Sequence, residues 1–592
     1  MRGMSGVDLA AFKPHEVLFW SGAGVSRPAP TCGPTGPDLT RRILSSFFLP
    51  GTQDGLAELY RRLDVPHKGS RPRLETVLDA LAERYGAPGL LDALSDLADC
   101  TPNPLHQFFA AHLGCGGDHV TANFDTCVER SGPASVGRRP IHVHGSLGES
   151  DALALGARLG VVERGLPEQL MAQLDAALDR ARVVVFVGYS GSDFFDVDPY
   201  LRSREDRFVD RVIVWHDFAA NVPLVARTLS VGDEGFPRFL VGASAEVVVT
   251  SGELRDLLRP AARAWGLPDL PPLTVASSTW RPGILADADA RRAATIALYA
   301  RMGYRTGVLS LLEEGRAHCS RDWDRLADAL WGAGRYREAG LAWDRAYPGT
   351  DRTDSAHRLE RRAAVWWIRG RLRAAERLLW AGIEEYAGAD SDLAGPVQAA
   401  LLETYGHVVT HMKRLPDARW LVRESRVRLV EERLGSLRQG VDASSGLHLR
   451  ARLDSIAADL SGQPDNQRAG HEAGFQESEA LHAWLNFRHG TLRRRVEQDQ
   501  FAAGSATLED YLRLRDDQVL IGATGDAARV YLLPGIGQLV GLGQVRQAFR
   551  GVDVTPYHRL RLIVGAFVTQ IRSRRRARDR RLDAGDNNGK AI

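Results

Sequence analysis

The sequence has few cysteines and no long apolar run, and each shortage excludes a class of protein. Five cysteines are spread over 592 residues, and no two of them form a C-x-x-C pair. An odd number of widely spaced cysteines indicates a reducing compartment and argues against a four-cysteine zinc site. No apolar run approaches the roughly 18 residues of a membrane span, and the start MRGMSGVDLA lacks the apolar core of a signal peptide. We therefore expect a cytoplasmic protein without a membrane segment and without zinc.

Lysine is also scarce, and the basic charge is concentrated at the C-terminus. Only four of the 76 basic residues are lysine, and the net charge of the chain is +2. Residues 572–581 hold seven arginines and one aspartate, so the rest of the chain carries −4. This balance excludes nucleic-acid binding by the bulk charge of the body, and only the tail could serve it. We expect 572–592 to be a disordered, solvated tail, with phosphate binding or partner docking as the alternative.

The first 250 or so residues alternate short apolar runs with amphipathic stretches. The apolar runs lie at 17–20, 141–144, 183–187, 211–215 and 246–249. Helical periodicity occurs between them at 38–48, 74–84, 90–97 and 167–181. The alternation predicts an α/β domain over 13–265, with a parallel sheet and helices on both of its faces.

The second half of the sequence predicts an all-α region. A proline-rich linker at 266–285 precedes it. Large and small residues then recur at the packing positions of a helical hairpin of about 34 residues. They are Trp323, Leu326, Ala327, Leu330, Gly334, Tyr336, Ala339, Trp343 and Ala346. The pattern returns more loosely around Ala363 and Leu402 and resembles tetratricopeptide repeats. We expect repeats over 286–430 and further, mostly helical structure over 431–571.

Four polar clusters in the first domain follow predicted strands or lie in loops at the sheet edge. They are SGAGVS at 21–26, TANFD at 121–125, HGS at 144–146 and GYSGSD at 188–193. Glycines after a strand let the backbone approach a phosphate, whose charge free N–H groups can bind. The carboxyl ends of the strands form the ligand crevice of an open α/β sheet. The four clusters therefore predict one ligand site.

The order GAGVS, TANFD, HG and GYSGSD resembles the motifs of sirtuin-like NAD-binding domains, over roughly residues 13–250. The resemblance implies a Rossmann-like sheet that binds NAD. It places Gly22, Ala23, Gly24 and Ser26 at the pyrophosphate, Asn123 and Asp125 at the nicotinamide ribose, His144 as the acid/base, and Gly188, Ser190 and Asp193 at the adenosine end. Asn123 and His144 are the expected catalytic pair.

Two departures from the family bear on the reaction. Protein-deacylating sirtuins bind zinc through two C-x-x-C pairs, and this chain has no such pair. They also carry a Pro-Asp-Phe-Arg stretch, and this chain has Gly36, Pro37, Asp38 and Leu39 in its place. Thr35, Gly36 and Leu39 fall at the family's flexible loop. These differences put acyl-lysine substrates in doubt and favour attack of water on C1′ of NAD. The chain thus resembles the NAD-hydrolysing branch found in bacterial antiviral systems.

Each candidate residue also has a structural interpretation. His144 could be a hydrogen-bonded histidine at a strand end, Asn123 and Asp125 an Asx-turn pair, and Ser190 and Asp193 a helix cap. His142 would share a strand face with His144, which could form a metal pair, but no third ligand is evident. We expect no metal.

These observations predict an NAD glycohydrolase that releases nicotinamide and ADP-ribose and serves as an anti-phage effector. The repeats would restrain it until a protein trigger or self-assembly changes its state. One alternative is a non-catalytic sensor of NAD or ADP-ribose whose repeats bind a partner. Another is an NAD-dependent deacylase or ADP-ribosyltransferase, although no acceptor groove is recognisable in the sequence.

Overall fold

The chain folds as two compact units, Met1–Ala297 and Leu298–Ile592. The computed structural model describes residues 8–65, 72–132, 138–147, 166–191, 197–219, 222–230, 233, 246–275, 278, 280, 286–312, 319–386, 395–414, 422–440, 453–454, 456–457, 460, 481–497, 508–521, 523, 549 and 552–554. Asp193 and the arginine-rich tail at 572–592 lie outside these residues.

A single mostly parallel sheet organises the first unit. Its strands, within the described residues, are β1 (Val17–Ser21), β2 (Asp118–Thr121), β3 (Ile141–His142), β4 (Val183–Val187), β5 (Val212–Phe218), β6 (Val225–Leu229) and β7 (Glu246–Gly252). Their order is β3-β2-β1-β4-β5-β7-β6, and β6 pairs antiparallel with β7. Strand order reverses between β1 and β4, and such a reversal opens a crevice at the carboxyl ends of the strands.

Helices connect and cover these strands. They are α1 (Gly36–Phe47), α2 (Thr52–Arg62), α3 (Leu74–Ala98), α4 (Pro104–Gly114), α5 (Cys127–Ser131), α6 (Glu168–Arg180), α7 (Val197–Arg202) and α8 (Leu254–Ala264). α3 is interrupted at Gly86, whose φ is +69°. α9 (Ala288–Arg301) contains the boundary between the two units.

Both faces of the sheet are buried. Leu18 and Trp20 of β1 pack in one core with Leu174 of α6. The alternate residues Val17 and Phe19 pack in a second core, with apolar side chains of α4 and α8. Side chains alternate between the faces of a strand, so burial on both sides requires a continuous apolar run. The predicted α/β domain with helices against both faces is confirmed at this level.

Three details of the sheet differ from the sequence-based expectation. β2 and β6 did not stand out as apolar runs. In β2, the buried Asp118 is held by two hydrogen bonds of 2.8 Å from Arg180, and the buried His119 by Ser21. The strand predicted at 141–144 ends at His142, and a turn carries the next two residues. The expected sharing of one strand face by His142 and His144 is therefore wrong.

The second unit is helical in its described residues. Its helices are α10 (Arg305–Leu312), α11 (Ser320–Gly332), α12 (Tyr336–Ala346), α13 (Arg352–Ile368), α14 (Leu372–Tyr386), α15 (Gly395–Arg414), α16 (Glu424–Gly440), α17 (Leu481–Glu497) and α18 (Leu508–Leu520). Gly334 and Gly370, with φ of +79° and +90°, make the turns before α12 and α14. No helix in the described part of the chain has the length and apolar character needed to cross a membrane.

Candidate functional site

A cavity of about 520 Å³ lies in the first unit where loops follow β1, β2 and β4. Its lining includes every predicted site residue that the structure describes: Gly22, Ala23, Gly24, Ser26, Asn123, Asp125, His144, Gly188 and Ser190. The volume is within the range of small-molecule sites. The topology of the sheet thus brings together segments that are far apart in the sequence.

The loops after β1 and β4 touch through their backbones. The N–H of Gly22 donates to the Val187 carbonyl at 3.1 Å, and that of Gly24 to the Gly188 carbonyl at 3.0 Å. A Cβ on Gly24 would lie 2.6 Å from the Cα of Gly188, and Gly188 itself has a φ of +58°. Glycine is needed at both positions, because any side chain would push the two loops apart.

Ser26 is the centre of a buried hydrogen-bond network. Its hydroxyl donates to Oδ2 of Asp125 at 2.9 Å and accepts from Nδ2 of Asn123 at 3.1 Å. Nε2 of His106 lies 3.1 Å from the same oxygen. Nδ1 of His106 accepts from the backbone N–H of Asn103 at 3.1 Å, which places the ring proton on Nε2. The network therefore fixes the Asn123 amide and leaves its Oδ1 as an acceptor for a ligand.

His106 is a residue that the sequence analysis missed. It lies on α4, away from every strand end, and is almost fully buried. Burial lowers its pKa, so the ring is neutral and can both donate and accept as the network requires. The signal in the sequence is a histidine in the first turn of a mostly apolar helix, shortly after the N-cap Asn103 and Pro104.

His144 lies in the turn after β3 and lines the cavity. It is buried, and its ring is tilted against that of Phe124 with centroids 6.5 Å apart. Gly145 follows with a φ of +82°, which lets the chain turn away immediately after the histidine. An imidazole can act as a general base where it lies within hydrogen-bond reach of the reacting group.

His142 is not part of the cavity lining. It forms an ion pair with Glu129. Nε2 of His142 lies 2.7 Å from Oε1 of Glu129, and Nδ1 lies 2.9 Å from the backbone carbonyl of Asn123. Burial lowers the pKa of His142, but Glu129, the Asn123 carbonyl and the nearby Asp125 oppose it, and the net shift is upward. The imidazolium donates from both nitrogens and so holds the backbone of Asn123 in place.

We expect Glu129→Gln to remove a stabilising contribution that depends on pH. Because the folded pKa of His142 is raised, its contribution is fully present below the unfolded pKa of about 6.5 and is lost as pH rises through the folded pKa. Denaturant unfolding should show that the variant has a free energy of unfolding about 1–3 kcal/mol lower than that of the unchanged chain at pH 6. The difference should be smaller at pH 9. An equal loss at both pH values would contradict the ion pair.

For Asp125 and Ser190, the sequence left open a purely structural role, as an Asx turn and a helix cap. Oδ1 of Asp125 accepts from the N–H of Cys127 at 3.1 Å, which is the local hydrogen bond of an Asx turn. The same side chain lines the cavity, so both interpretations of Asp125 hold geometrically. Ser190 lines the cavity, and the next described helix begins only at Val197.

Further cavity residues come from β5 and from the segments before α1 and α3. His216, Asp217 and Phe218 are the last three residues of β5, and His216 is buried. The apolar run of the sequence ends at residue 215, so it does not mark these residues as candidates at a strand end. Burial lowers the pKa of His216 to about 4, so its ring is neutral. Arg27 and Arg73 bring positive charge to the same lining. Three carboxylates, those of Glu75, Asp125 and Asp217, bring negative charge.

The segment compared with a flexible loop also reaches the cavity. Thr35, Gly36 and Leu39 line it. The side chain of Thr35 caps α1 by accepting from the N–H of Asp38 at 3.4 Å, so this part of the wall is the first turn of a helix.

His106, Asp125 and Cys127 bring ligand-type atoms within 4.8 Å of one another. Hydrogen bonds already engage these groups, including a contact of 3.4 Å from Sγ of Cys127 to the carbonyl of Cys100. Burial and the Asp125 charge raise the pKa of the Cys127 thiol, which keeps it protonated and a weak metal ligand. Hydrogen bonding alone accounts for this cluster.

The chain was compared with models of known protein families and with curated proteins, and neither comparison gave a match.

Proposed function

We propose that the first unit binds NAD in the 520 Å³ cavity and hydrolyses it to nicotinamide and ADP-ribose. The observation that carries the proposal is that all the predicted site residues described by the structure line one cavity, at the point where strand order reverses. Gly22, Gly24 and Gly188 lie side by side in the cavity lining, where the resemblance implies the pyrophosphate. The N–H groups of Gly22 and Gly24 donate to backbone carbonyls, so the anion would be bound by other donors of the lining.

The chemistry assigned to the cavity is a glycosyl transfer to water. The bond between C1′ and the nicotinamide nitrogen breaks, and nicotinamide leaves as a neutral molecule with the electron pair. Asp125 offsets the positive charge that develops on the sugar, as a carboxylate does in glycoside cleavage. Asn123, anchored by Ser26, orients a ribose hydroxyl or the water. The water oxygen bonds to C1′, and His144 accepts its proton.

We further propose that the helices of the second unit form tetratricopeptide-like repeats that control the enzyme in an anti-phage response. Equivalent positions recur 36 residues apart: Gly334 and Gly370 in left-handed turns, Ala339 and Ala375 fully buried, and Trp343 and Leu379 in the core. Repeats of this kind offer extended surfaces for a protein trigger or for self-assembly. Such control is needed because unrestrained NAD hydrolysis would harm the host cell.

The decisive experiment measures nicotinamide release from NAD by the full chain over a range of protein concentrations. Asn123→Ala and His144→Ala should each lower the rate by about 100-fold or more, because each removes a group that acts in the reaction. His15→Ala is the matched control, since His15 is exposed and lies outside the cavity lining. It should leave the rate unchanged.

The other outcomes select between the alternatives. Binding of NAD without release of nicotinamide, at all concentrations, would favour the sensor over the hydrolase. Release that requires an added acyl-lysine peptide would favour the deacylase. The absence of NAD binding would contradict the site itself.

A further inference from the structure

The second unit contains a hollow of about 170 Å³ between α12 and α13 that is lined mainly by arginine. We call it the arginine groove and define it by Arg337, Asp344, Arg358, Arg362, Arg369 and Arg371. It belongs to neither the cavity nor the motifs of the first unit.

Three of the five arginines form a row along α13. Arg358, Arg362 and Arg369 follow each other at spacings of four and seven residues, which places them on one side of α13 and its C-terminal turn. At about 1.5 Å per residue, the row from Arg358 to Arg369 extends over roughly 16 Å. A row of this length fits an extended ligand better than a compact ion.

The arginine groove has an excess of positive charge. Asp344 accepts from Nε of Arg358 at 3.1 Å and from Nη2 of Arg362 at 3.4 Å. Asp553 reaches the far end, where its Oδ1 lies 3.8 Å from Nε of Arg369. Among the described residues of this unit that line or reach the groove, two carboxylates thus face five guanidinium groups. Such an arrangement attracts further carboxylates, which arginine binds with two parallel hydrogen bonds.

Asp553 already shows the type of ligand that the groove accepts. Its Oδ2 accepts from the backbone N–H of Arg337 at 2.8 Å, at the first turn of α12. Its own N–H donates to the carbonyl of Gly334 at 2.8 Å. A carboxylate on a separate stretch of chain is therefore held at one end of the arginine groove by a helix N-terminus and a guanidinium.

The middle of the groove is apolar. Leu341 is 58% exposed, an unusual exposure for leucine in a helix that also buries Ala339 and Trp343. Leu341 and the half-buried Trp366 line the hollow between the charged ends. A simple anion would gain nothing from this apolar surface, whereas a peptide side chain would be partly removed from water there.

We infer that the arginine groove is a docking site for an extended acidic segment of a partner protein, with its carboxylates on the arginines of the groove, Arg337 and Arg371 included, and an apolar side chain on Leu341. Alternate residues of an extended chain lie about 6.6 Å apart. This spacing is close to one turn of α13, about 5.4 Å. The inference concerns binding alone and does not depend on NAD hydrolysis.

The test measures binding of a fluorescein-labelled peptide, alternating glutamate and aspartate around a central leucine, to the full chain. Arg337→Glu and Arg371→Glu should each weaken binding by about 10-fold or more, because each reverses an exposed charge of the groove. Arg377→Glu on α14 is the matched control and should bind as the unchanged chain does. All three positions are exposed, so misfolding is not expected.

A second comparison separates a peptide site from a simple anion site. Leu341→Ser should weaken binding of the leucine peptide several-fold and leave binding of inorganic triphosphate unchanged. Saturable peptide binding that is insensitive to Arg337→Glu and Arg371→Glu would overturn the inference. So would the absence of saturable binding up to about 1 mM peptide, or tighter binding of triphosphate than of peptide at the same arginines.

Discussion

Replacement of Gly188 by alanine is expected to abolish nicotinamide release and to destabilise the first unit by about 3 kcal/mol or more. The φ of +58° alone disfavours any side chain. A Cβ would also lie 2.7 Å from the backbone nitrogen of Val25 and 2.8 Å from the Cα of Gly24. These are backbone atoms, so only displacement of a whole loop can relieve the contact. Denaturant unfolding and the nicotinamide assay measure the two effects.

Two further glycine variants separate the clash from the backbone strain. Gly51 has a φ of +80° with open space around its Cβ position, so Gly51→Ala reports the strain alone, about 1 kcal/mol. Gly24 has no positive φ, and a Cβ there would meet only the loop of Gly188. Gly24→Ala should therefore resemble Gly188→Ala in lost activity. If Gly188→Ala behaved like Gly51→Ala, the two loops would not be in tight contact.

The parts of the fold that the sequence predicts well are those where local pattern and burial agree. The run Val183–Val187 identifies β4 because both faces of the strand are buried and every residue must be apolar. β2 has the same burial but contains Asp118 and His119. Asp118 is compensated by Arg180, 62 residues away, and His119 by Ser21, 98 residues away. No local pattern contains that information.

Within the candidate site too, local pattern identifies some residues, and others depend on long-range contacts. The motif residues follow strand ends, and the topology of a parallel sheet collects strand ends at one edge. Asn123 could therefore be placed from the sequence. The groups that fix it, His106 on α4 and Glu129 on α5, act through long-range contacts between side chains. A helix position does not reveal such contacts until the helices are placed against the sheet.

Asn103 is the second position where a single substitution should have a large effect. It is fully buried, and its Oδ1 caps α4 by accepting from the N–H groups of Leu105 and His106. Its Nδ2 donates to the carbonyls of Val25 at 2.9 Å and Pro28 at 3.2 Å. One side chain thus ties α4 to the loop that forms the cavity wall after β1.

We expect Asn103→Ala to lower the free energy of unfolding by about 2–4 kcal/mol. Loss of an N-cap costs about 1 kcal/mol, and the buried carbonyl of Val25, left without its donor, costs about 1–3 kcal/mol. The carbonyl of Pro28 keeps the N–H of Cys32 as a donor. Thr35→Ala, which removes the cap of α1, should cost only about 1 kcal/mol. Denaturant unfolding of both variants against the unchanged chain gives the comparison.

Asn103→Ser tests whether the tether to the loop, and not the cap, matters for the reaction. Serine is a good N-cap residue but is too short to replace the Nδ2 donor, so α4 should be retained while the tether to the loop is lost. The Val25 carbonyl then lacks its donor, and the Pro28 carbonyl keeps only the N–H of Cys32. The loop would then position the pyrophosphate poorly, and KM for NAD should rise more than kcat falls. If Asn103→Ser left KM unchanged, the order of the loop would come from the touching backbones at Gly24 and Gly188. Asn103 would then act on folding alone.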